Sequence, residues 1–397
     1  MYVLQQFLMK KIFENTKVAF SLKSDTELKK ARFMFQVMGN TFLVKLGTWL
    51  TLVALKLRLP VNGLIKKTIF RQFCGGTSEK ECIPIIKKLS ETSVNSVLDY
   101  SVEAKEEEAE FEAAMEKKIS LIDFAKKNKD ISFAALKPTA LGKFKIWQKK
   151  TEGTPFSASE ALQWNRIEER FTKICQHAFE QKIPLLIDAE ESWMQDAADM
   201  LVEKMMRLYN KNEILIYNTV QCYRWDRLDY VKKLEEKAKN EGFKIGVKIV
   251  RGAYMEKENE RALEKNYTTP ICESKVITDE NFNTILRYVM DRLELFGVFI
   301  GSHNEPSTYL ALEIMNKKNL PKNHPGVWFG QLYGMSDQIT YNLSENGYNV
   351  AKLIPFGPVK EVIPYLIRRA EENTSVAGQT GRELTLLNTE LGRRRAN

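Results

Sequence analysis

Residues 243–251 read FKIGVKIVR and residues 297–303 read GVFIGSH. Each is a short, nearly continuous apolar run that ends on polar groups. A strand covered on both faces reads this way, because neither face meets water. Six more runs share the pattern: VNSVLDYS (94–101), ISFAALK (131–137), IPLLIDA (183–189), EILIYNTVQ (213–221), GVWFGQ (326–331) and YNVAKLIP (348–355). Long charged stretches with helical periodicity separate them, clearest at 103–128, 192–210, 224–241, 279–295, 306–318, 336–345 and 359–373. The span from Lys143 to Lys182 holds a longer connection and an extra helix. Strand and helix in alternation predict a parallel sheet. Eight units are most economically closed as a (βα)8 TIM-like barrel over 94–374. A helical region (1–93) precedes it and a tail (375–397) follows. An open doubly wound sheet is the alternative, but no GxGxxG follows the first strand.

In such a barrel the chemistry sits at the C-terminal strand ends. Those positions hold Lys137, Asp188, Gln221, Lys248, Arg251, His303, Asn304 and Gln331. Any one of them reads as a structural ion pair. Together they read as a cation-rich active-site mouth with one acid, suited to an anionic substrate or cofactor. The last helical stretch adds Arg368 and Arg369, with Glu372 one turn on and able to orient one of them. A guanidinium takes a carboxylate as a two-point fork, so this pair points to a carboxylate substrate.

Composition narrows the classes. The 397 residues are 44% hydrophobic and 28% charged, with net charge +9. Lys and Glu are mixed along most helices, the only short basic tail is Arg393–Arg395, and no zinc-finger or RNA-binding motif occurs, so nucleic acid is not the expected partner. Five cysteines at wide, unpaired spacings suit a reducing compartment. Three histidines without HExxH spacing give no catalytic metal site. No cleavable signal is read at the N-terminus. Residues 41–70 are apolar with scattered cations. The uncharged run Leu46–Leu55 is well short of the ~20 residues of a membrane span. A buried helix is the preferred reading there, with a basic amphipathic face on an anionic membrane as the alternative.

Several motifs, taken in order, resemble one family. GVKIVRGAYMEKE, GSHNE, FGQLYGMSD, IPFGPVKEVIPYLIRRAEENTS, LIDAEESW, VLDYSVE and LKPTALG together look like proline dehydrogenase, from about Ser93 to the tail. The helical region before them also looks like that of monofunctional bacterial members. The resemblance implies a distorted (βα)8 barrel with noncovalent FAD over its mouth, oxidation of L-proline to Δ1-pyrroline-5-carboxylate and electron transfer to quinone. It implies that Arg368, Arg369 and Lys137 hold the substrate carboxylate. Tyr254 and Leu332 would wall the proline ring, and Asp188 would lie beside flavin and substrate. Gln221, Lys248, Arg251, Gly252, Ala253, His303, Asn304, Gln331 and Glu372 would contact the flavin or shape its site. Lys248 stands where many members carry arginine. Leu353 stands where members usually carry a substrate-contacting tyrosine, which opens hydroxyproline as an alternative substrate. Further rivals are a barrel aldolase using Lys137 or Lys248 as a Schiff-base nucleophile and a non-catalytic scaffold that kept the fold. Chain length is read as leaving no room for a fused aldehyde dehydrogenase domain. A separate pyrroline-5-carboxylate dehydrogenase is then the expected downstream partner. The expected location is the cytoplasm, with peripheral contact at the inner membrane as a variant.

Overall fold

The computed structural model of the chain describes residues 11–57, 59, 61–101, 106–375 and 379–396, without the side chains of 55, 371–375, 379 and 380. Eight strands form a closed barrel in sequence order: β1 Asn95–Tyr100, β2 Ile131–Leu136, β3 Leu185–Ile187, β4 Ile216–Gln221, β5 Ile245–Val250, β6 Phe296–Gly301, β7 Val327–Leu332 and β8 Val350–Phe356. The pairs from β1–β2 through β6–β7 are parallel. The expected (βα)8 architecture is therefore present. Phe133 of β2 meets the rings of Tyr217 (β4), Phe299 (β6) and Trp328 (β7) edge-on at 5.1–5.7 Å. Strands that are not neighbours touch in this way only through the barrel interior, so aromatic side chains fill it as a packed layer.

Helices of eight or more residues among those described are α1 Asp25–Met38, α2 Thr41–Lys56, α3 Glu79–Ser90, α4 Glu108–Lys127, α5 Phe144–Thr151, α6 Ala158–Gln181 and α7 Ser192–Tyr209. They continue as α8 Arg227–Glu241, α9 Met255–Lys265, α10 Lys275–Met290, α11 Glu305–Lys317, α12 Asp337–Glu345, α13 Val359–Ser375 and α14 Gln379–Ala396. Local chemistry explains several starts. Ser24 with Glu27, and Ser157 with Glu160, form reciprocal capping boxes on α1 and α6. The 143–182 connection carries two helices, α5 and α6, so the extra helix expected there is present. One element differs from expectation: the β5–β6 connection carries two helices, α9 and α10, where one at 279–295 was expected.

The contacts divide the chain into two compact units. One comprises Asn95–Asp99 and Glu103–Gly330. The other comprises Met1–Val94, Tyr100–Val102 and Gln331–Asn397. In the second unit α14, read from sequence as a tail, buries Leu386, Leu387 and Leu391 in the same apolar cluster as Leu28, Phe35 and Leu366. Arg393 and Arg394 both hold the fully buried Glu390, and Arg394 also bonds the carbonyls of Phe20 and Lys23. These arginines brace the helix and do not form a loose basic tail.

The second unit also contains a buried charge network. Asp337 accepts Lys23 at 2.7 Å and Lys352 at 3.0 Å, and Lys352, in β8, is 1% exposed. Lys352 also donates to the Leu332 and Met335 carbonyls. Burial alone would raise the Asp337 pKa, but the two lysines outweigh it and hold it at about 2. Glu383 lies in the same network, accepts the Ser336 N–H at 2.6 Å, and is pushed up to about 7 by burial and by Asp337. Removing one partner of a buried pair leaves charge uncompensated. Asp337→Asn should therefore cost about 3–5 kcal/mol in urea unfolding near neutral pH. Because the Asp337 pKa is depressed on folding, its stabilisation is present above about pH 4 and is lost as pH falls toward about 2.

Candidate active site

The barrel mouth is built from the ends of β2 to β6. Thr219 of β4 lies level with Lys248 of β5, and its hydroxyl donates to Ile187 O at 2.7 Å. Lys248 is 6% exposed, and its ammonium sits 2.5 Å from Asp188 Oδ1, one residue past β3. The backbone N–H of Asp188 is fixed on Leu136 O at 2.8 Å. The two expected charges thus meet as an ion pair from two strands separated by β4.

Gln221 ends β4, buried, and its Nε2 donates to Glu190 O at 2.9 Å. Its Oε1 is buried without a hydrogen-bond partner among the described residues. Amide acceptors in a protein interior are nearly always satisfied, so this one is informative.

Glu190 is the acid that the sequence reading passed over. It is 7% exposed and accepts the Thr139 N–H at 3.0 Å and the Thr139 hydroxyl at 2.7 Å. Burial pushes its pKa up to about 7. Lys137 opposes that rise, and Glu191 adds to it. Its backbone is held through Gln195, which accepts the Glu190 N–H at 2.9 Å and donates to Asp199 at 2.8 Å. Asp199 also takes Asn218 at 2.8 Å and Arg227 at 2.7 Å. Glu190 thus joins Asp188 at the mouth, where one acid was expected. The signal in the sequence was the run DAEES directly after a strand.

The other predicted residues of this unit are placed as follows. Lys137 immediately follows β2 and is half-buried. Arg251, one residue past β5, donates to Asp279 at 2.6 Å, Ser302 at 3.0 Å and Ser307 at 2.9 Å, and stacks over Phe282 at 4.4 Å. It braces the connection out of β5 against β6 and α10. Gly252 has φ +124, and a Cβ there would come 2.5 Å from the Tyr223 ring. Only glycine suits that turn. Ala253 is exposed, and Tyr254 is half-buried at the N-cap of α9. His303 is half-buried after β6, and Asn304 caps α11 by accepting the Ser307 N–H at 2.9 Å.

In the other unit, Gln331 of β7 is buried and accepts the Thr340 hydroxyl at 2.9 Å. Leu332 ends β7, half-buried, and Leu353 is half-buried in β8 with its carbonyl on Tyr333 N at 2.8 Å. Arg369 lies on α13, 8% exposed, with its guanidinium 5.3 Å from the Tyr365 ring. Arg368 is half-buried beside it. The side chain of Glu372 lies outside the described residues. Among the described residues, no group of three or more His, Cys, Asp or Glu could hold a metal ion.

A family model described as proline dehydrogenase matches residues 82–382. The chain is 34% identical to the carbapenem antibiotics biosynthesis protein CarD of Pectobacterium carotovorum, over 81% of this chain and 83% of that one. It is 31% identical to the mitochondrial proline dehydrogenase 1 of Dictyostelium discoideum (86% and 67% covered) and 29% identical to the hydroxyproline dehydrogenase of Xenopus laevis (95% and 89%). In fold it matches the proline utilization A structure of Bdellovibrio bacteriovorus with a TM-score of 0.75 at 21% identity. That match covers 97% of this chain, which spans 43% of the Bdellovibrio chain.

The raised pKa of Glu190 has a measurable consequence. Its carboxyl ionises near 4.5 when exposed and near 7 when folded, so the native state loses stability as pH rises through that window. Glu190→Gln removes the titration while keeping the shape. The variant should gain stability relative to the parent, by order 3 kcal/mol, between about pH 5 and about pH 8 in urea unfolding. A pH-independent difference would show that Glu190 does not titrate in that window.

Proposed function

The chain belongs to the proline dehydrogenase family, a family of oxidoreductases, and from that premise we propose that it oxidises L-proline to Δ1-pyrroline-5-carboxylate, with FAD bound noncovalently at the barrel mouth and electrons passed to a quinone. The observation that carries the cofactor assignment is the buried, unpartnered Gln221 Oε1, at the end of the strand that pairs with that of Lys248. A flavin ring offers an N–H donor of the kind such an acceptor takes. Gly252, at φ +124, lets the chain turn out of β5 against the Tyr223 ring. Held there by Gln221, Lys248 and Asp188, FAD would supply a two-electron hydride acceptor whose reduction adds negative charge. Lys248, fixed on a strand by Asp188, provides positive charge suited to that change without reorganising.

The remaining residues bind and orient. Arg368 and Arg369 present forked donors to the substrate carboxylate, with Lys137 as a third cation. Tyr254 and Leu332 wall the ring. A cationic pocket disfavours the protonated amine, so proline is held with its nitrogen lone pair free. That lone pair forms the C=N bond as the C5–H bond breaks with both electrons leaving as hydride. The nitrogen proton passes to water. The cyclic imine hydrolyses to an aldehyde, which a separate aldehyde-oxidising enzyme, a pyrroline-5-carboxylate dehydrogenase, would consume.

Leu353 favours a second reading. A leucine where the family resemblance leads one to expect a tyrosine removes a hydroxyl and reshapes the wall that meets the ring, which suits hydroxyproline as the alternative substrate. Such changes shift discrimination by about 1–3 kcal/mol. Turnover with a soluble quinone should give a higher kcat/KM for proline than for trans-4-hydroxyproline, and the reverse order would transfer the assignment. Arg368→Met should raise KM for proline roughly 10- to 100-fold, the worth of a charged hydrogen bond, with a smaller change in kcat. An unchanged KM would remove Arg368 from the carboxylate site.

A further inference from the structure

Helix α2 is apolar on the wrong side for a soluble helix. Its inner face packs on α1 and α13, with Val44 buried in the core cluster. Its outer face is also apolar. Phe42 is 70% exposed, Trp49 59% and Leu50 52%, with Leu43, Leu46 and Leu52 exposed beside them. Positions 42, 46, 49 and 50 recur at helical spacing, so they form one continuous stripe. Leu57, Leu59 and Leu64 carry exposed apolar surface onward past the helix end. An exposed patch of this size is seldom left to water.

Charge is distributed around it unevenly. From Leu28 to Ser78 the chain has nine cations and no acid, which equals the net charge of the whole protein. The rest of the chain is balanced. Lys45 and Lys56 are exposed on α2, and Lys67 is exposed just beyond it. A long lysine stem can lie along an apolar face while its ammonium reaches outward.

We propose that the outer face of α2 docks the protein on an anionic lipid bilayer, with Phe42, Leu46, Trp49 and Leu50 entering the acyl boundary and Lys45, Lys56 and Lys67 meeting lipid phosphates. Apolar area and basic charge on one helix face make the pattern of an interfacial helix. Tryptophan suits that depth because its ring is apolar and its N–H is polar. Spanning is the poorer reading for this element. Among the described residues no single helix is long and apolar enough to cross, and α1 and α2 reach that length and composition only together, as a pair bent by 94°. The apolar face of α1 (Leu28, Ala31, Phe35 and Met38) is already buried in the core cluster. A second copy is the poorer occupant, because a two-fold interface would set the same cations against one another. α2 packs on α13, the helix of Arg368 and Arg369. Docking there would hold the protein at the phase in which a lipid-soluble electron acceptor resides. The docking itself does not rest on the dehydrogenase reading.

The test is co-sedimentation of the full chain with phosphatidylcholine vesicles containing roughly one-third phosphatidylglycerol, against pure phosphatidylcholine. Binding should be at least tenfold tighter to the anionic vesicles, should weaken with salt, and should blue-shift the fluorescence of Trp49. The shift should vanish in Trp49→Phe. Leu46→Ser/Trp49→Ser/Leu50→Ser should abolish binding while leaving proline turnover with a soluble acceptor unchanged. Lys45→Gln/Lys56→Gln should remove the preference for anionic lipid. Absence of vesicle binding by the parent chain would overturn the proposal, as would equal binding by the triple variant. A dimer that the triple variant dissociates, without vesicle binding, would overturn it in favour of a copy interface.

Discussion

Closure of a parallel sheet governs this molecule. When eight parallel strands join into a ring, neither strand face reaches water, and ladder hydrogen bonds satisfy the backbone all round. The interior must then be filled by side chains, which Phe133, Tyr217, Phe299 and Trp328 do. Polar groups are tolerated only where strands end or where they find a partner. Lys248 is the sharpest case. It lies within β5, not after it, and its charge is compatible with that position because Asp188 is placed to meet it.

That constraint also explains what was legible in the sequence. Strands buried on both faces leave apolar runs that punctuate the chain, so all eight could be placed to within a few residues. β3 is shorter than its apolar run because Pro184 has no N–H for the ladder and contributes only its carbonyl, to Ala134. α9 was missed because MEKENERALEK carries few apolar residues, and its face is set by neighbours more than by its own periodicity. Lys137, Asp188 and Gln221 were legible because a polar residue ending an apolar run is conspicuous, and Lys248 because it is a charge inside one. Glu190 was not, since its burial depends on Thr139 and Gln195, which arrive from other parts of the chain. Arg251 and Asn304 were legible as strand-end polar residues, but their engagement as a brace and a helix cap was not.

Charge is handled differently in the two units. In the unit of β2 to β6, buried carboxylates are distributed over a relay from Glu190 through Gln195 to Asp199 and Arg227, so that the loop after β3 is fixed by several bonds. In the other unit Asp337 serves two lysines, one of them in β8, with Glu383 in the same network. Neither network is exposed to salt as surface pairs are, so both should resist ionic strength while responding to pH. The unbalanced cations lie instead along 28–78, beside apolar surface that the core does not cover.

The account stands or falls on a flavin at the barrel mouth. The visible spectrum of the purified chain, recorded anaerobically before and after addition of proline, tests this directly. An absorption band in the flavin region that bleaches with proline and not with alanine is the predicted result. A colourless protein that does not take up FAD, or a flavin band indifferent to both proline and hydroxyproline, would contradict it.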